Sequence, residues 1–252
     1  MASTAPIIEA RALCVDHLVQ RHGFRSIKEY LVSLGSKRLL ERKRILHDID
    51  LTVYHGECFG IVGRNGSGKS TLLRTLAGIL EPVSGSLRVE GSVSPMLALG
   101  VGLEPELNGW ENARLCAALM GCDERGTQRV IDNVRAFSGL SDGDLDMAVK
   151  RFSTGMMARL GFAIATANDP DLLLIDEVLA VGDAGFQEKC YARIAEMKQA
   201  GSTIVLVSHS LGEVQRLCDR SACMEAGTLV AVGDPHTVGL HYHKLLGIPV
   251  QP

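Results

Sequence analysis

Gly63-Arg64-Asn65-Gly66-Ser67-Gly68-Lys69-Ser70 is a complete G-x-x-x-x-G-K-[ST] run. It follows the apolar, strand-like Cys58-Phe59-Gly60-Ile61-Val62 and opens into the helix-like Thr71-Leu72-Leu73-Arg74-Thr75-Leu76. Strand, loop and helix in that order are the context a phosphate-binding loop requires. Its glycines let backbone N–H groups close around phosphate oxygens, and the helix N-terminus adds the positive end of its dipole. Gly63, Arg64, Asn65, Gly66, Ser67, Gly68 and Thr71 are the expected cradle. Lys69 is expected to reach the β- and γ-phosphates, and Ser70 to ligate Mg²⁺. The implied ligand is a nucleoside triphosphate.

A length of 252 residues suits one large α/β domain, or a domain with a subdomain. An apolar share of 46% is ample for a buried core. The formal net charge of −3 gives no global reason to expect nucleic acid as a partner. Seven scattered cysteines include no C-x-x-C pair and read as small buried hydrophobes in a reducing cytosol. The amino terminus lacks a basic segment followed by an apolar stretch, and no run of about 18 apolar residues occurs. The expectation is a soluble, cytoplasmic chain.

Along the chain, Ile7 to Val15 and Ile45 to Val53 read as strands, the second ending at the turn His55-Gly56. Ser86 to Val89 and Ser92 to Leu97 are short strand candidates bounded by Gly85 and Gly91. From Trp110 to about Ala167 the periodicity is helical, with breaks near Gly121-Cys122-Asp123 and Ser141-Asp142-Gly143-Asp144. Asp171 to Asp176 and Thr203 to Ser208 read as buried parallel strands, with a helix from Phe186 to Gln199 between them. Leu211 to Leu217 is helical, Ala222–Glu225 and Thr228–Val232 form a hairpin around Gly227, and Pro235 to Leu246 is a last helix. Alternating strands and helices predict a parallel sheet covered on both faces.

Leu172-Leu173-Leu174-Ile175-Asp176-Glu177 ends an apolar strand in two carboxylates. An Asp at the carboxyl end of a buried strand can hold Mg²⁺ beside the phosphate loop. Glu177 would then face the γ-phosphate and polarise an attacking water as general base. Upstream, Arg151-Phe152-Ser153-Thr154-Gly155-Met156-Met157-Ala158-Arg159-Leu160 places a Ser-x-Gly turn at the start of a helix. That turn resembles the signature motif of ATP-binding-cassette ATPases, usually Leu-Ser-Gly-Gly-Gln. Ser153 and Gly155 are retained, while Thr154 and Met156 depart. Val181-Gly182-Asp183-Ala184 resembles the loop that crosses to the other subunit, with Asp183 its acidic residue. His209, in Val207-Ser208-His209-Ser210, resembles the switch histidine that contacts the γ-phosphate. The resemblance covers about Ile45 to Gly233.

Finer detail is similar to the ATP-binding subunits of O-antigen, capsular polysaccharide and teichoic acid exporters. It lies in Phe152–Met156, in Asp176-Glu177-Val178-Leu179-Ala180-Val181-Gly182-Asp183-Ala184 and in the run from Leu97 to Gly109. In the last run the cassette's usual glutamine has no counterpart; Leu99 or Gly100 falls near its place. Residues 17–44 form a basic insertion, carrying eight Lys and Arg against Glu29 and Glu41, with Ile27, Tyr30, Leu31 and Leu34 on one helical face. Such a stretch suits an anionic membrane surface or a phosphate-bearing glycolipid, or else packs as a solvated insertion on its own domain. His17 aligns best with the residue that stacks on adenine, with Phe24 the alternative. Some exporters of this type carry a carbohydrate-binding domain after the cassette, which is not expected here. A metal site at His236, His241 and His243 is not expected either.

The resemblance implies an α/β fold: a P-loop ABC ATPase cassette with a parallel-sheet core, an antiparallel β subdomain and a helical subdomain over about residues 106–167. It treats 1–252 as a single nucleotide-binding domain with ATP and Mg²⁺ as cofactors. It implies a homodimer in which Lys69, Ser70, Asp176, Glu177 and His209 of one subunit face Ser153, Gly155 and Asp183 of its twin. An integral-membrane permease is the implied partner and a lipid-linked polysaccharide the implied cargo, with the chain peripheral on the cytoplasmic face of the cytoplasmic membrane. A drug or lipid exporter is the alternative, but it would show a Gln near position 100 and the usual Gly-Gly-Gln signature. Glu177→Gln should retain ATP binding and stop turnover, because the amide fills the same space without accepting a proton from water. ATP and Mg²⁺ should then trap a dimer on size exclusion, and wild-type turnover by this variant would remove Glu177 from the general-base role.

Overall fold

The computed structural model describes residues 5–20, 40–96, 102–176 and 183–248. Two long strands, β1 (Pro6–Gln20) and β2 (Leu40–Tyr54), pair antiparallel. The chain turns at Gly56, where φ is +77°, and enters β3 (Cys58–Gly63), which is buried at every residue. Helix α1 (Lys69–Leu76) follows the phosphate loop. β4 (Ser84–Val89) then joins β1 antiparallel, giving a three-stranded sheet in the order β2-β1-β4. At residues 90–92 the chain crosses to a second sheet, because β5 (Val93–Met96) pairs parallel with β6 (Leu172–Asp176).

Helices α2 (Gly109–Leu119), α3 (Glu124–Phe137), α4 (Asp142–Leu145) and α5 (Thr154–Ala165) lie between β5 and β6. After β6 come α6 (Ala184–Gln199), β7 (Thr203–Val207), α7 (Leu211–Leu217), β8 (Arg220–Glu225), β9 (Thr228–Gly233) and α8 (Pro235–Leu246). The second sheet runs β5-β6-β7-β3-β8-β9, parallel except for the antiparallel β8–β9 hairpin.

Side chains alternate between the two faces of this sheet, and both faces are buried. Leu172, Leu174, Val205 and Val207 face a core shared with α1 and the antiparallel sheet. Leu173, Ile175, Ile204 and Leu206 face a second core built with α5, α6 and α8. A third apolar cluster, including Ala113, Val130, Val134, Leu145 and Leu160, holds α2 to α5 together. Phe137, Phe162 and Phe186 join α3, α5 and α6: the first two stack with centroids 5.3 Å apart, and Phe186 meets Phe137 edge-on at 5.7 Å. Five of the seven cysteines are buried and all seven are free thiols. Burial pushes Cys190 up to about 12 and Cys223 up to about 11.

One expectation changes and another is refined. The segment expected to leave the first strand near His17 continues as strand: Asp16 to Gln20 pair with Arg44 back to Leu40. The basic residues Arg42, Lys43 and Arg44 therefore stand on a two-stranded ribbon, while Ile27, Tyr30, Leu31 and Leu34 lie outside the described residues. The break expected near Ser141-Asp142-Gly143-Asp144 is present, since α3 ends at Phe137, but Asp142 to Asp144 themselves belong to the short α4, which Ser141 caps. Ser141 accepts from the Asp144 amide, and the Asp144 carboxylate accepts from the Ser141 amide. This reciprocal cap offsets the poor helix propensity of Gly143. Among the described residues no helix is long and apolar enough to cross a membrane.

Gly227, at the tip of the β8–β9 hairpin, ties both sheets to the phosphate loop. Its amide donates to Ser67 O at 2.9 Å, and its carbonyl accepts from the His47 amide of β2 at 2.9 Å. Its φ is +84°, and a Cβ there would sit 2.1 Å from Ile45 O. Gly227→Ala must open this junction, and a loss of about 2 kcal/mol in stability is expected. The urea midpoint measures it; an unchanged midpoint would show that the hairpin tip is not held as described.

Candidate functional site

The register of three adjacent strands builds the site. Asp176 of β6 pairs with Val207 of β7, and Val207 pairs with Ile61 of β3. The phosphate loop begins two residues beyond Ile61, and His209 stands two residues beyond Val207. With parallel strands about 4.8 Å apart, Asp176 lies about 10 Å across the sheet from β3. All three therefore reach the carboxyl edge of one parallel sheet, where ligands of open α/β folds bind.

The loop itself is shaped by close contacts. A Cβ on Gly63 would meet Met224 O at 2.4 Å and Ser67 Oγ at 2.7 Å, so only glycine fits there. Gly66 and Gly68 have φ of +80° and +105°, and Gly68 is the N-cap residue of α1. Lys69 is buried and its Nζ donates to Gly63 O at 2.8 Å and Arg64 O at 3.1 Å. This folds the ammonium back over its own loop. Ser67 Oγ is buried without a hydrogen-bond partner, an orphan polar atom in the wall of the cradle. Arg64, Asn65, Gly66 and Ser70 are exposed, and Thr71 is half-buried. These features fit a polyphosphate. The half-buried carboxylate of Asp176 and the hydroxyl of Ser70 are hard oxygen donors of the kind Mg²⁺ takes. Glu177 lies outside the described residues, as do residues 97–101, where the cassette glutamine would fall.

Ser153 is the N-cap residue of α5, its hydroxyl accepting from the Met156 amide at 3.2 Å, and it is exposed. The opposite end of α5 meets the sheet, where Ser94 of β5 donates to Ala165 O at 3.1 Å. At 1.5 Å per residue, Ser153 and Gly155 stand about 18 and about 15 Å out along the helix from that junction. Asp183 caps α6 by accepting from the Phe186 amide at 2.9 Å, and it pairs with Arg159 of α5. The Phe186 amide, and then the Arg159 guanidinium, hold the Asp183 carboxyl below its usual value. Arg159 also donates to Ser138 O at 3.2 Å and lies 4.6 Å above the Phe186 ring. It thus braces the helix bearing Ser153 against the helix bearing Asp183. His17 is half-buried on β1, paired in register with Lys43, and its Nε2 is buried without a hydrogen-bond partner. Phe24 lies outside the described residues.

A nucleotide-binding parallel sheet, with a lysine-bearing loop after its central strand and a carboxylate and histidine on the next two, defines a P-loop ATPase. The family model described as ABC transporter matches residues 46–180, and the chain belongs to that family. It is an ATP-binding ATPase of the cassette type. It is 45% identical over 214 residues to the ABC transporter protein AbcA of Aeromonas salmonicida, covering 85% of this chain and 69% of that protein. It is 42% identical over 236 residues to the O-antigen export system ATP-binding protein RfbB of Klebsiella pneumoniae, covering 92% and 96%. It spans 46% of the length of a protein of the same name in Myxococcus xanthus. It also superposes, with a TM-score of 0.73, on a dimeric structure of the ATP-binding cassette MJ0796 in a post-hydrolysis state bound to ADP and Pi. That likeness, at 18% identity over 90% of this chain and 98% of the other, is one of fold.

The sequence alone gives Arg159 and Glu213 no signal of their own. Arg159 lay inside the signature run without a role, and the Ser210-x-x-Glu213 spacing reads as an ordinary helix start. Lys69→Ala should abolish measurable ATP binding, since the phosphates lose a charge-assisted partner inside a buried loop. Binding at wild-type strength, followed with a fluorescent ATP analogue, would remove Lys69 from the phosphate site.

Proposed function

We propose that this chain is the ATP-hydrolysing subunit of a transporter that exports a lipid-linked polysaccharide of the O-antigen, capsule or teichoic acid class. The observation that carries the reading is the 42% identity to an O-antigen export subunit along 92% of this chain and 96% of that one. The site geometry accords with it. In this reading Gly63 to Thr71 cradle the phosphates, Lys69 neutralises them, His209 contacts the γ-phosphate, and Glu177 takes a proton from the attacking water. Mg²⁺, held by Ser70 and Asp176, would supply charge neutralisation between the β- and γ-phosphates. His17 would stack on adenine.

Two copies would share each ATP. Ser153 and Gly155 stand far out along α5, which supports their serving the site of a twin related by two-fold symmetry. Asp183 would exchange its bond with Arg159 for contacts across that interface. Residues of α2 to α5 would form the helical subdomain and meet an integral-membrane permease, placing the chain on the cytoplasmic face of the membrane. The ribbon bearing Arg42, Lys43 and Arg44 would face anionic headgroups. All three are exposed, and Arg44 is paired with Asp16 at 2.9 Å.

The test replaces the chain in its source organism with the Lys69→Ala variant and follows surface polysaccharide. Expected are loss of polymer from the surface and its build-up, still lipid-linked, inside the cell. Unchanged surface polymer would overturn the cargo assignment. In the same assay, joint replacement of Arg42, Lys43 and Arg44 by Ser should reduce display with ATP turnover retained; full display would reduce the ribbon to a solvated insertion.

A further inference from the structure

Between β7 and α7 the chain runs Ser208-His209-Ser210, and its course is set by one carboxylate. Ser208 is buried, and its amide donates to Ile61 O of β3 at 3.2 Å. Its hydroxyl donates to Glu213 Oε2 at 2.6 Å and accepts from the Ser210 amide at 2.9 Å. Ser210 in turn caps α7, its hydroxyl accepting from the Glu213 amide at 3.4 Å. In a reciprocal cap the Glu213 side chain would bond the Ser210 amide. Here it turns away to Ser208, and its other oxygen, Oε1, accepts from Tyr191 of α6 at 3.1 Å.

Tyr191 is itself fixed. Arg216 of α7 lies 4.5 Å over its ring and makes a two-pronged ion pair with Glu188 of α6 at 3.1 and 3.0 Å. Burial, and then the Glu213 carboxylate, push the Tyr191 hydroxyl up to about 12, so it stays a donor at any working pH. The three-residue loop carrying His209 is thereby fastened on one side to β3 and on the other to the helix that Asp183 caps.

We propose that Glu213 is a positioning residue for ATP hydrolysis, holding the His209 loop in register with α6 through Ser208 and Tyr191. The proposal rests on the reading of His209 as the γ-phosphate contact and goes beyond it by naming what aims the histidine. Glu213 bonds Ser208 and Tyr191 and would act on the reaction only through the loop they hold. Its removal acts on the transition state, where His209 must be placed within a fraction of an ångström, more than on ATP binding, which Lys69 and the loop amides supply.

The test measures steady-state ATP turnover of the 252-residue chain and of its Glu213→Ala, Glu213→Gln, Tyr191→Phe and His209→Ala variants. Glu213→Ala should lower kcat about tenfold, the worth of a lost charge-assisted bond, with KM for ATP changed less than about twofold. Glu213→Gln can still accept from Ser208 and can donate to the Tyr191 oxygen, so it should restore kcat to within about threefold of wild type. Tyr191→Phe, which removes one arm, should cost about two- to fivefold in kcat. A wild-type kcat in Glu213→Ala, or a Gln variant as slow as the Ala variant, overturns the proposal. If Glu213→Ala does not fold, Tyr191→Phe decides in its place, and a wild-type kcat there overturns the proposal equally. Wild-type turnover by His209→Ala would overturn the reading of His209 and the proposal with it. A slow His209→Ala beside an unimpaired Glu213→Ala overturns the proposal alone.

Discussion

The level alignment of β6, β7 and β3 sets the position of every group that these strands bring to the candidate phosphate site. Asp176, Val207 and Ile61 stand side by side because the three strands pair in one parallel register. Buried leucines, isoleucines and valines on both faces enforce it. A slip of one residue would exchange the two faces of a strand and draw the Asp176 carboxylate toward the apolar interior. The polar groups at the sheet edge are thus held in place by the apolar packing beneath them.

A second layer of constraint sits in the helices. Stacked Phe137 and Phe162, with Phe186 edge-on, bring α3, α5 and α6 to one point, and Arg159 closes the outer side by joining Asp183, Ser138 O and the Phe186 face. The cap of α5 and the cap of α6 are therefore not independent surface features. A change in the angle between these helices must break either the Arg159–Asp183 pair or the aromatic contact, so the two caps move as one unit.

Much of this was legible in the sequence, for reasons that differ by element. α7 and α8 run from Leu211 to Leu217 and from Pro235 to Leu246 as expected, since Ser210 and Asp234–Pro235 mark their starts. The central strands were readable as short apolar runs ending in polar residues. α4 was not, because the same Ser, Asp and Gly residues that make a turn also make a reciprocal cap, and only the backbone distinguishes them. The length of β1 and β2 escaped because Asp16 to Gln20 and Leu40 to Arg44 lack regular alternation and pair only with each other. In the candidate site, the roles proposed for the loop lysine and the strand-end aspartate rest on local spacing. That of Glu213 does not, since its meaning depends on Tyr191, 22 positions away in the chain.

The placement of the thiols has a practical side. Cys14, Cys58, Cys190, Cys218 and Cys223 are buried, whereas Cys116 and Cys122 are half-exposed. Cys116 lies in the last turn of α2 and Cys122 in the connection to α3, both packed against the apolar cluster of the helical layer. An alkylating fluorophore applied to the folded chain would collect on that layer alone. The native sequence thus supplies its own spectroscopic handle on the helices, leaving the nucleotide-binding sheet unlabelled.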